Sequence, residues 1–163
     1  MGAGSDLSWP DLSWVTESHR ALRSESGKLA AQLGAARPGP AAVAAAGVDA
    51  FWDMLAWHER AEEEVVWPAL IAARPDVARE LDAFASEHDT LERLLARLDD
   101  ALAGRGSLPV SAGALAINVA AQLNGHLARE EERILPVLGA TFTASQWSEL
   151  MSRLEAAAGI EPA

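Results

Sequence analysis

The chain has 163 residues, half of them apolar, and a formal net charge of -11: one ordinary domain by length, with enough apolar residues to bury a sizeable core. It contains neither Cys nor Tyr, which excludes disulfides, iron–sulfur clusters, thiolate chemistry and tyrosyl radicals. The acidic balance argues against binding nucleic acid or anionic lipid by charge, and the first residues show no basic segment followed by an apolar run, so the expected location is the cytoplasm.

Ala, Leu, Glu and Arg dominate and no period-two alternation is sustained, which predicts an all-α chain. Breakers fall at wide intervals: "RPGP" at 37–40, "RPD" at 74–76, "GRGSLP" at 104–109 and "GATFT" at 139–143. They cut the chain into four long helical segments and a short fifth. The "DLSWPDLSW" stretch before the first helix reads as an arm with Trp9 and Trp14 tucked onto the bundle. The first helix carries a stripe of Leu12, Val15, His19, Leu22, Ser26, Leu29 and Leu33. The second carries Val48, Phe51, Leu55, His58, Glu62, Val65 and Ala69. The third carries Val77, Leu81, Phe84, His88, Leu91, Leu95, Leu98 and Leu102. The fourth carries Val119, Leu123, His126, Glu130, Ile134 and Val137, with one slip in the rhythm. Steps of three and four place each set on one helix face. The uncharged stretch from Gly106 to Leu127 contains Ser, Asn, Gln and His and reads as a buried helix, not a membrane span. The fifth segment opens on a capping-box pattern, Thr143 to Gln146, and shows an apolar face of Trp147, Leu150, Met151 and Leu154. The expected fold is an antiparallel up-down four-helix bundle over about 12–139, with a short C-terminal helix over about 143–157, all within one domain, 1–163.

The stripes contain an oddity. All four His of the chain, His19, His58, His88 and His126, occupy core positions, and Glu62 and Glu130 do too, each four residues after a His. A single His on an apolar seam is ordinarily a satisfied core residue. Ionised carboxylates inside a bundle, however, cost several kcal/mol unless compensated, and the seams offer no Lys or Arg at these levels. The pattern is also duplicated. "HERAEEEVVWPAL" begins at His58 and "HLAREEERILPVL" at His126; His19 to His88 is 69 residues and His58 to His126 is 68. Residues at i and i+4 share a helix face, so each hairpin supplies one His and one His-x-x-x-Glu to a common point. A bound cation answers all six positions together, and two matched sets suit two ions with bridging carboxylates. Without thiolates, a mix of imidazole and carboxylate disfavours structural zinc, calcium and magnesium, leaving iron first and manganese second. Glu63, Glu64, Glu131 and Glu132 read as solvated helix faces.

His19, "HERAEEEVVWPAL", "SEHDTLERL" and "HLAREEERILPVL" resemble the haemerythrin-like, or HHE cation-binding, family over roughly Val15 to Leu138. The resemblance implies a four-helix bundle holding a non-haem, oxo- or hydroxo-bridged di-iron centre. It implies that Glu62 and Glu130 bridge the irons, that His19 and His58 bind one iron, and that His88 and His126 bind the other. Oxygen carriers of the family have a further His where this chain has Phe84, and an Asp five residues after the last His where this chain has Glu130 four residues after. A carboxylate-richer set favours the ferric state and argues against simple oxygen carriage. An extra coordination position at one iron is either open or filled by water, Glu59 or Glu92, with Glu92 read as solvated. The implied function is reaction with, or sensing of, oxygen, nitric oxide or peroxide. The alternative is a non-enzymatic module for iron storage, iron sensing or iron-dependent interaction.

Overall fold

The computed structural model describes residues 9–35, 41–105 and 111–157, and among these the only regular structure is helical. "RPGP" and most of "GRGSLP" lie outside the described residues.

Helix α1 spans Ser13–Gly34. The Asp11 carboxylate accepts the Ser13 N–H at 2.9 Å just before it, satisfying one of the free donors of the first turn. Its buried face is the predicted one: Val15, His19, Leu22, Ser26, Leu29 and Leu33. Trp14 lies within the first turn of α1 and packs edge-on against Trp57 at 5.4 Å. Trp9 does not tuck in; it is 78 % exposed. It precedes the helix, so the period that buries Trp14 does not extend to it.

Helix α2, Ala41–Ala61, runs through a single π turn, Glu62–Val66, into α3, Trp67–Ala73. The Trp67 N–H bonds the Glu62 carbonyl, five residues back. Pro68 has no N–H for the Glu64 carbonyl and its ring would crowd it, so the wider turn relieves a conflict written by the Pro. The wider turn also shifts the buried stripe. The expected step from Val65 to Ala69 becomes Val65, Val66 and then Leu70, with Ala69 only partly covered.

A 3-10 turn, Pro75–Val77, leads into α4, Ala78–Leu102. Helix α5, Ala112–Arg133, is capped by Ser111, whose hydroxyl accepts the Ala114 N–H at 3.2 Å. It ends at Ile134, and α6, Leu135–Thr141, follows with Pro136 in its first turn. Here too the stripe slips by one, and Leu138 is buried in place of Val137. Helix α7, Ala144–Ala157, starts on the expected capping box: the Thr143 N–H donates to Gln146 Oε1 at 2.9 Å, and the Gln146 N–H to Thr143 Oγ1 at 3.3 Å.

Helix α1 packs on α2 and α5, and α4 packs on the same two. The approach of α5 to the end of α1 is close enough to need a glycine. A Cβ on Gly113 would stand 2.6 Å from the Leu33 carbonyl oxygen. The apolar interior falls into two clusters. One gathers Leu22, Leu55, Leu91, Leu95 and Leu123 with their neighbours. The other gathers Val15, Val65, Leu81, Phe84 and Ile134 with Trp147, Leu150 and Leu154 of α7. Along α1, α2 and α4 the break between the clusters falls at the histidine, and along α5 it falls at Glu130, between Leu127 and Ile134. No helix among the described residues is long and apolar enough to cross a membrane.

Candidate metal centre

The gap between the two apolar clusters is a polar layer. His19 comes from α1, His58 from α2, Glu62 from the π turn, His88 from α4, and His126 and Glu130 from α5. All six are buried, with exposures of 0–4 %. The structure thus brings every one of the six candidate residues to one place.

The donors face each other. His19 Nε2 is 3.4 Å from Glu130 Oε2, and His126 Nε2 is 3.6 Å from the same oxygen. On the other carboxylate, His58 Nε2 is 3.3 Å from Glu62 Oε1 and His88 Nε2 is 3.6 Å from Glu62 Oε2. His88 and His126 meet Nε2 to Nε2 at 3.1 Å. Two groupings result: His19, His58, Glu62 and Glu130, and Glu62, His88 and His126, with the donor atoms of each within 4.8 Å of one another. Glu62 belongs to both.

An outer ring of side chains, unforeseen in the sequence, holds the imidazoles from behind. His19 Nδ1 meets Glu131 Oε1 at 3.0 Å, and Arg23 clamps that carboxylate at 2.6 and 3.0 Å. His88 Nδ1 meets Glu63 Oε1 at 2.7 Å. His126 Nδ1 meets Glu87 Oε2 at 2.9 Å, and Arg129 binds the same oxygen at 2.6 Å. His58 Nδ1 has a hydroxyl instead, Ser18 Oγ, at 3.3 Å. A carboxylate can only accept, so these contacts fix the proton on Nδ1 and leave the Nε2 lone pair aimed inward. Glu63 and Glu131 are therefore not idle solvated residues. The signal was available: each directly follows the inward-facing Glu, in both copies of the motif. Trp67 is buried and also stacks on His88 at 5.0 Å and 15°. Phe84 lies edge-on to His126 at 5.5 Å.

The electrostatics of the protein alone are strained. Burial, reinforced by Glu130, holds the Glu62 carboxyl well above the usual range. Burial also works against ionised Glu130, but the surrounding imidazoles of His19, His126 and His58 outweigh it and hold Glu130 at about 2. The physical content is that the two facing carboxyls do not both ionise in a dry site. His58 is pushed down to about 3 by burial, against the pull of Glu130. His88 is lowered by burial and by His126, against Glu63. Glu59 is buried beside the centre and raised to about 9, by burial first and then by Glu92, Glu63, Asp89 and Glu130. Glu92 is exposed.

The donor set fits a cation. His19 Nε2, His58 Nε2, Glu62 Oε2 and Glu130 Oε2 are buried atoms without hydrogen-bond partners, and all four point into the same layer. Buried polar atoms are nearly always paired, and the two nearby arginines are spent on the outer carboxylates. Imidazole and carboxylate together, without thiolate, suit first-row transition metals.

Helices that pack around a buried layer of histidine and carboxylate define a helical cation-binding protein. The chain belongs to the haemerythrin HHE cation-binding domain family, whose model matches residues 11–138. Neither a curated protein nor a solved structure matches it.

Proposed function

We propose that the layer holds two iron ions within an antiparallel four-helix bundle, bridged by Glu62 and Glu130. His19 and His58 complete one position, and His88 and His126 complete the other. The observation that carries this reading is the convergence of orphaned Nε2 and carboxylate atoms in two groups that share Glu62. Manganese is the second metal this donor set suits.

Bound iron would supply redox chemistry and a binding position for oxygen, nitric oxide or peroxide. The chain's own part is orientation and exclusion. The Nδ1 contacts to carboxylates hold the rings of His19, His88 and His126 in one tautomer. Trp67, Phe84 and the two apolar clusters keep water from the layer. The reaction of a small ligand at this centre, in the reducing cytoplasm that a chain without Cys suits, is the function these features support best.

Elemental analysis of protein expressed with ample iron is expected to give two irons per chain, and one or none would sink the dinuclear reading. The iron-loaded protein is expected to consume hydrogen peroxide rapidly, with the activity lost in Glu62→Ala. Two irons without turnover would favour iron storage or sensing instead.

A further inference from the structure

The outer ring repeats the symmetry of the inner one, with a single exception. Glu131 follows Glu130 and holds His19; Glu63 follows Glu62 and holds His88. These two contacts are counterparts. The other pair should match in the same way. Glu87 precedes His88 and holds His126. The residue that precedes His19 and holds His58 is Ser18.

The difference is one of charge and of strength. The Ser18 hydroxyl donates its proton to the Val15 carbonyl at 2.8 Å, so toward His58 it acts as a neutral acceptor at 3.3 Å. Glu87 is a carboxylate, and its Oε2 accepts from His126 Nδ1 at 2.9 Å and from Arg129 at 2.6 Å. An imidazole whose N–H faces a carboxylate is a better electron donor through its other nitrogen than one facing a hydroxyl, and removing such a partner typically weakens metal binding about 10- to 100-fold. Three imidazoles have a carboxylate behind them and His58 does not. The inner carboxylates serve both positions and lie slightly nearer the first: Glu62 stands 3.3 Å from His58 and 3.6 Å from His88, and Glu130 Oε2 stands 3.4 Å from His19 and 3.6 Å from His126, so the difference in charge lies in the outer ring.

We propose that the two metal positions are unequal: the His88/His126 position retains its ion, and the His19/His58 position, backed by Ser18, is the one that exchanges. Ser18 and Glu87 are the positioning residues that set this difference. The inference rests on the dinuclear reading. It gives the centre a resident ion and an exchangeable ion, so that iron supply is sensed or exchanged at one position while the other keeps the layer assembled.

The test is release of iron from full-length protein loaded with ferrous iron under anaerobic conditions, followed by colour after adding excess of a ferrous chelator such as ferrozine. The wild type is expected to release its iron in two phases of equal amplitude, about 10-fold or more apart in rate. Glu87→Gln, which keeps the shape and removes the charge, is expected to accelerate the slow phase toward the fast one. Glu87→Asp, which restores a carboxylate, is expected to recover a slow phase. Ser18→Asp is expected to slow the fast phase. Release of two irons in one phase by the wild type would overturn the proposal and leave the dinuclear reading standing. So would a slow phase that Glu87→Gln does not move while the variant keeps wild-type helicity and melting. Total release of one iron or less would instead remove the dinuclear reading on which the proposal rests.

Discussion

Three consecutive glutamates on a helix point in three directions, about 100° apart, and here each direction meets a different environment. In each triad the first, Glu62 or Glu130, enters the polar layer. The second, Glu63 or Glu131, reaches the Nδ1 of a histidine on another helix. The third, Glu64 or Glu132, is exposed. Replacing Glu63 or Glu131 by Ala is therefore expected to weaken metal binding about 10- to 100-fold. Glu64→Ala and Glu132→Ala are expected to leave it within error, as read by competition with a chelator of known affinity. Equal losses at all four positions would contradict this division of labour. Glu59 makes a prediction about the metal-free protein. Its carboxyl is raised to about 9 in the fold, mainly by burial, against about 4.3 in an unfolded chain. Between those values the unfolded chain releases the proton and the folded chain keeps it, so stability falls as pH rises through the window. His58 works at the other end. Its folded value of about 3 lies below the unfolded 6.5, so stability falls as pH drops below that value. Melting temperature of the metal-free protein should thus decline on both sides of mildly acidic pH. Glu59→Gln should flatten the alkaline limb and leave the acid limb unchanged.

At the scale of elements, two local devices position the site. The π turn begins at Glu62 and lets its own Val66, and Leu70 of α3, be buried beneath the layer. Pro68 explains why the turn is wide, and Pro136 stands at the same place in the second copy, where α5 gives way to α6 at Ile134. The periodic stripes and the capping box at Thr143 were legible in the sequence because both depend on neighbours three and four residues away. The one-residue shift at the π turn after Glu62 was not, since a single extra residue in one turn leaves composition and spacing almost unchanged. Gly113 is the other device. Its missing side chain lets α5 approach the α1 backbone, and a Cβ would stand 2.6 Å from the Leu33 carbonyl oxygen and 3.1 Å from the Gly34 Cα. Backbone atoms cannot swing aside as a side chain can. Gly113→Ala is therefore expected to destabilise the protein by about 1–3 kcal/mol, despite the better helix propensity of Ala. Denaturant unfolding measures this, and an unchanged or raised midpoint would show that the two helices separate freely.

Across the whole molecule, a charged layer lies between two apolar clusters, and in the absence of a cation it is the weak plane of the core. A metal that binds only the folded chain adds RT ln(1 + [L]/Kd), about 4 kcal/mol at a thousandfold excess over Kd. The metal-bound form is therefore expected to melt well above the metal-free form at pH 7. Protons compete for the same imidazole and carboxylate atoms, so the gap should narrow toward pH 5. Equal melting temperatures for verified metal-bound and metal-free samples at pH 7 would mean the layer gains nothing from a cation. The sequence by itself determined the helices, their buried faces and the six residues of the inner layer. Each of these is written in spacing along one helix, and the duplication marked the layer twice. The tertiary structure alone decided which glutamate backs which histidine, why His58 has only Ser18, and that Trp9 lies exposed. These depend on the rotation and relative height of packed helices, and a period read along one chain segment carries no information about the segment it faces.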